Sequence, residues 1–168
     1  NAPPQYATIA AKVHDKLQDL SSNFGVNFGL SIVYPGAMAE SELSVARGAT
    51  IPVQQDGGVA LRIVLNGAGM KGRVGTSYRT ALHELAHAAT MQSVQLGHKG
   101  FPQYAQSVRD LVDVANAINR HMGMRAKTKP AELTDFERSV LSGRSNLFDS
   151  IDEVLVWGMT SPDAQAYL

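Results

Sequence analysis

Ile9, Ala10, Val13, Leu17 and Leu20 recur at helical spacing, so the chain is predicted to open with a helix from Tyr6 to about Leu20. The period then changes. Val26, Phe28, Leu30, Ile32 and Tyr34 alternate with small or polar residues, a strand pattern that Pro35-Gly36 ends. A weaker strand is expected near Leu43–Arg47 and another at Ile51–Gln54, and Asp56-Gly57-Gly58 signals a turn. Val59, Leu61, Ile63 and Leu65 alternate again and give the clearest strand. The segment from Asn66 to Gly75 carries Gly67, Gly69, Gly72 and Gly75 with Lys71 and Arg73, but lacks the spacing of a phosphate loop and reads as a connection. From Thr76 to about Leu96 the pattern is helical, with Thr76 or Ser77 as the cap. Everything after it reads as helix, over Gln103–His121, Thr134–Ser142, Asn146–Trp157 and Pro162–Leu168, and Thr134 with Glu137 spells a capping box. The order predicts an α+β fold: an N-terminal helix and a mixed sheet, then a long helix and a helical C-terminal half.

Composition narrows the picture by exclusion. The 168 residues fit one domain, read as spanning 1–168, and 44% hydrophobic against 18% charged residues describes a globular chain. A formal net charge of zero, with no Lys/Arg block, gives no reason to expect nucleic acid or an anionic membrane as partner. No apolar run approaches the roughly 20 residues that span a bilayer, and no signal-peptide pattern is present. Cysteine is absent, so any metal must be held by His and carboxylate. The opening Asn1-Ala2-Pro3-Pro4 has no initiator Met and reads as a processed or excised product of a longer protein, whose other domains are then expected partners.

The chemistry is concentrated at His83-Glu84-Leu85-Ala86-His87. Two histidines at i and i+4 share one helix face a turn apart, so both imidazoles can reach one metal ion. Glu84 projects from the next position round, where it can hold a water without taking a ligand site. That is the machinery of a zinc hydrolase. Bare H-E-x-x-H also arises by chance on amphipathic helices, so the flanks matter. Thr80 stands three residues before the first His, uncharged Leu85 and Ala86 lie between the two, and Ala88-Ala89 follow, all as zincin helices have them.

A catalytic zinc needs a third protein ligand. The metzincin continuation H-x-x-G-x-x-H requires Gly at 90 and His at 93, where this chain has Thr90 and Ser93. A Cys ligand of the peptide deformylase type is impossible. His98 lies past Gly97 at the expected helix end and reads as a surface or capping residue. A downstream carboxylate remains. Asp110, Asp113, Glu132, Asp135 and Glu137 sit in polar surroundings that read as solvated faces. The predicted helix Asn146–Trp157 instead puts Asp149, Asp152 and Glu153 on one face while Ile151, Val154, Leu155 and Val156 make most of the rest apolar.

The run from Asp149 through Glu153 and Trp157 to Ser161-Pro162-Asp163 and Leu168 resembles the C-terminal signature of gluzincin-type metallopeptidase domains in large phage and mobile-element proteins. There a helix bears the third-ligand Glu, and a Ser-Pro-acidic cap and a short last helix follow. The resemblance covers the motif helix and this end, about a quarter of the chain. It implies a small zincin-like fold, Glu153 as ligand, and a virion or host-cytoplasm setting. One departure stands out: gluzincins often carry an acidic residue four after the Glu ligand, turned toward a ligand His, and Trp157 occupies that place. Support for His83 or His87 is then expected from Asp149 or Asp152.

The expected function is zinc-dependent peptide-bond hydrolysis, with Zn2+ held by His83, His87 and Glu153 and with Glu84 as general base and then acid to the leaving amine. The expected partner is a protein or peptide substrate, paired with the free edge of the strand Val59–Asn66. His121, Tyr104, Tyr78 and Tyr167 are the available oxyanion donors; His121, at a predicted helix end, also suits a dipole-offsetting role. The competing reading is a catalytically degenerate zincin-fold interaction module. A cell-wall amidase fits less well, since those enzymes place zinc ligands on strands and loops.

Overall fold

Helix α1 (Pro4–Phe24) is longer than its apolar spacing predicts, and Val13 and Leu20, two turns apart, are its buried contacts. Strands β1 (Asn27–Val33), β2 (Gly48–Gln55) and β3 (Gly58–Asn66) form a mixed sheet in the order β1-β3-β2, with β1 parallel and β2 antiparallel to β3. The α+β class and the mixed sheet are therefore as expected. The computed structural model describes residues 4–33, 48–55, 58–66 and 77–167. The expected strand near Leu43–Arg47, most of the Asp56-Gly57-Gly58 turn, the glycine-rich connection and Thr76 lie outside them.

The described chain forms two compact units, 1–89 and 90–168. In the first, β3 is the centre. Leu61, Ile63 and Leu65 are buried on one side and Ala60 and Val64 on the other, while Arg62 is exposed. The register of β3 corrects one expectation. Leu30 lies opposite Ile63 in β1 and Thr50 lies opposite Ile63 in β2, so β3 has a partner on each side and offers no free edge. Pro52, which cannot donate a ladder hydrogen bond, lies in β2, an outer strand among the described residues.

Helix α2 (Tyr78–His98) carries the motif. Ser77 is the cap: its Oγ accepts from Thr80 N–H at 3.1 Å. Leu82, Ala86 and Ala89 at i, i+4 and i+7 are buried together with Ala88 in the first unit. The last turns of α2 belong to the second unit and end where Gly100, at φ +83, lets Phe101 N–H reach Leu96 O and Gly100 N–H reach Gly97 O. That is a Schellman closure, and it needs the left-handed backbone that glycine adopts readily.

The second unit is helical: α3 (Pro102–Thr128), a single 3-10 turn (Pro130–Glu132), α4 (Asp135–Leu141), α5 (Ile151–Thr160) and α6 (Pro162–Gln165). Ile118, Met122 and Leu147 form its core, with Phe136, Val140, Phe148, Trp157 and Tyr167 packed on them. Because α3 runs on to Thr128, His121 does not end a helix; it is exposed about two turns before the end, with its ring centroid 6.3 Å from that of Tyr167. Helix α5 starts at Ser150 rather than at Asn146, because the Ser150 hydroxyl caps it. Asp149 thus lies before the helix, and the expected three-carboxylate face is reduced to Asp152 and Glu153. Ser161 ends α5 and caps α6, accepting from Ala164 N–H, and the Gln165 amide donates back to Met159 O at 3.1 Å. Among the described residues no helix is long and apolar enough to cross a membrane.

Glu137 ties this unit together. The reciprocal capping box with Thr134 forms as expected, but Glu137 is wholly buried, not on a solvated face. Its Oε1 accepts from Arg125 Nε at 2.7 Å and its Oε2 from Thr134 N–H at 2.7 Å. Burial by itself pushes this carboxyl up. The Thr134 N–H, the Tyr167 and Arg125 side chains and the Thr134 hydroxyl outweigh it and hold the pKa at about 2. A carboxyl whose folded pKa lies below its unfolded value of 4.5 stabilises fully above that pH and loses its contribution as pH falls through about 2. Glu137→Ala strips several buried donors of their acceptor at once, and denaturant unfolding is expected to show a loss of about 3 kcal/mol at pH 7. The penalty should shrink as the pH is lowered from 4.5 toward 2; a pH-independent penalty would remove the ionised pair as its cause.

Candidate metal centre

Helical geometry brings His83, Glu84 and His87 together. His83 is half-buried, and Glu84 and His87 are each only 7% exposed, so α2 turns polar chemistry inward among its alanines. The two Nε2 atoms lie 3.2 Å apart, with the rings edge-on at a centroid separation of 4.8 Å. Two nitrogens bound to one tetrahedral zinc at 2.0–2.1 Å would stand about 3.3 Å apart. The pair therefore has the spacing of two ligands on one ion, and the donor set of imidazole nitrogens suits zinc.

Glu84 is fixed from the sheet. Thr50 Oγ1 lies 2.8 Å from the Glu84 main-chain oxygen and 3.0 Å from its Oε2, so the hydroxyl can donate to either. Gly48, two residues earlier on β2, leaves room for the same side chain: a Cβ there would lie 2.7 Å from Glu84 Cγ and 3.1 Å from Oε1. Neither residue announces itself in the sequence, because their role depends on which strand lies beside α2.

Glu153 stands in the first turn of α5, half-buried, with its Oε2 shut away from solvent. Ser150 Oγ accepts from Glu153 N–H at 3.1 Å. Ser150-Ile-Asp-Glu153 has the same spelling as Thr134-Asp-Phe-Glu137, yet α4 carries the reciprocal box and α5 the hydroxyl half alone. The positive end of the helix dipole favours a negative charge at Glu153. Beside it, Asp152 Oδ1 accepts from Thr90 Oγ1 at 3.0 Å, tying α5 to the second-unit turns of α2.

The remaining candidates separate clearly. Asp110 accepts from Gln106, Glu132 pairs with Lys129 and Asp135 with Arg138, all on exposed surface; Asp113 and Asp149 are exposed too. His98 is exposed at the end of α2, as its position past Gly97 suggests. Trp157 belongs to the core, its ring centroid 6.1 Å from that of Phe136 and its Nε1 donating to Asn146 Oδ1 at 3.0 Å. Of the oxyanion candidates, Tyr167 is bonded to Glu137, and burial with that bond pushes its phenol up. Tyr78 is exposed beside Tyr6, with ring centroids 5.8 Å apart. Tyr104 is half-buried and His121 exposed.

Compared with family models, curated proteins and solved structures, the chain matches none.

The Ser150 cap gives a local test. Ser150→Ala should cost about 1 kcal/mol in denaturant unfolding, and hydrogen exchange should show faster opening at Glu153 and Val154. Unchanged exchange there would show that the cap does not hold the first turn of α5.

Proposed function

We propose that this protein is a zinc-dependent peptide hydrolase of the gluzincin type, with His83, His87 and Glu153 as the set that holds the metal and Glu84 as general base. The observation that carries the reading is the 3.2 Å approach of the two Nε2 atoms on one helix, next to a buried carboxylate. The distance suits two ligands of one ion, and the carboxylate is of the kind that can take a proton from water. Glu153 is chosen over the other acids because it combines partial burial, a solvent-shielded oxygen and a place at the positive end of a helix.

A divalent ion held there supplies Lewis acidity, acidifying a water and polarising a carbonyl. The chain's own residues do the rest. Glu84 accepts the water's proton as the oxygen adds to the peptide carbonyl, then returns it to the leaving amine, so one residue serves as base and acid. Strand β2, which brings Thr50 to Glu84, is an outer strand among the described residues and suits an extended peptide better than β3 does.

Elemental mass spectrometry of the purified protein tests the ligand set. About one zinc per chain is expected in the parent, lost in His83→Ala and Glu153→Ala and retained in Glu132→Ala. Glu153→Ala that binds zinc as tightly as the parent would reassign the third ligand. Glu84→Gln should keep the metal and lose hydrolysis of an unfolded casein-like substrate by about 10²- to 10⁴-fold. A zinc-loaded parent that cleaves no such substrate would favour an interaction module instead.

A further inference from the structure

We infer that Thr50 is a positioning residue for the general base, clamping the Glu84 side chain together with the bare backbone of Gly48. The inference rests on the role proposed for Glu84 and adds what holds that residue in working order.

Residues two apart on a strand point to the same face, so Gly48 and Thr50 present one continuous surface of β2. Glu84 meets that surface at both places. At Thr50 the contact is attractive: a single hydroxyl lies within hydrogen-bond distance of the main-chain oxygen and of the carboxylate of the same residue. It therefore ties the end of the side chain to the backbone that bears it. Thr is branched at Cβ, so the position of its Oγ1 is itself restricted. At Gly48 the contact is steric. A Cβ would come within 2.7 Å of Cγ, 3.1 Å of Oε1 and 3.2 Å of Cδ, so the space that any other residue would fill is given to Glu84.

A glutamate has three side-chain torsions, and a base that swings among rotamers meets its proton only part of the time. Misplacement by about 1 Å can cost about a hundredfold in rate. Neither Thr50 nor Gly48 offers the nitrogen, thiolate or carboxylate that zinc prefers. Removing the clamp should therefore change what Glu84 does while leaving the metal in place.

The test compares Thr50→Val, Thr50→Ser and Gly48→Ala with the parent for zinc content, kcat and KM on a quenched fluorescent peptide, with circular dichroism for folding. Thr50→Val should lower kcat about ten- to a hundredfold with KM and zinc content unchanged, and Thr50→Ser should return kcat to within about threefold of the parent. Gly48→Ala should lower kcat with zinc retained, reaching the same carboxylate from the other side, and it decides the matter if Thr50→Val does not fold. Thr50→Val with the parent's kcat, or Thr50→Ser no better than Thr50→Val, would overturn the clamp and leave the peptidase reading standing. A zinc-loaded parent with no turnover would sink the peptidase reading and the clamp with it.

Discussion

Everything at the candidate centre depends on α2 burying polar groups on a face that must also pack. Leu82, Ala86 and Ala89 form one buried stripe, and at 3.6 residues per turn Glu84 and His87 fall on the opposite side of the helix, which is buried as well. Burying a carboxylate and an imidazole is costly unless each finds a partner. Glu84 finds one in the Thr50 hydroxyl, and His87 faces His83 across 3.2 Å. Two nitrogens that close require something between them, a proton or a cation. The small residues around the motif follow from the same demand, because Ala86, Ala88 and Ala89 let neighbouring backbone come near while large side chains would hold it off.

The sheet answers that demand with its strand order. A central β3, apolar on both sides, supplies the mass of the first unit's core, and this leaves β2 as the strand whose side chains can differ in kind. It uses the freedom in three ways. Gly48 removes a side chain, Thr50 supplies a hydroxyl, and Pro52 gives up a ladder donor that a middle strand would need. The contacts with Glu84 at Gly48 and Thr50 are therefore made by the least regular strand of the sheet.

What could be read in the sequence was what local periodicity controls. The helix–strand order, the Thr134 box and the shared face of His83 and His87 all follow from spacing within a few residues. The centrality of β3 is hidden because its alternating Leu61, Ile63 and Leu65 look alike in an edge strand and a middle one; only its pairing with β1 on one side and β2 on the other separates the two. The start of α5 is not legible because Leu147 and Phe148 extend the apolar pattern, whereas the Ser150 hydroxyl sets the boundary. Thr50 was invisible for a deeper reason: it lies 34 residues from Glu84, and its meaning exists only once β2 is laid beside the helix.

Glu137 and Glu153 show how far local spelling carries. Each is the third residue after a Ser or Thr cap, in a helix with an apolar side, and a sequence pattern treats them alike. Their fates differ because of what lies far from them along the chain. Arg125, twelve residues upstream on α3, reaches Glu137 at 2.7 Å and turns a capping residue into the buried anchor of three segments. At α5 the Ser150 hydroxyl accepts from the Glu153 N–H, and the Glu153 Oε2 is shut away from solvent. One spelling thus serves two different settings, and what distant parts of the chain supply, more than the position of either residue in a motif, makes Glu137 a structural acid.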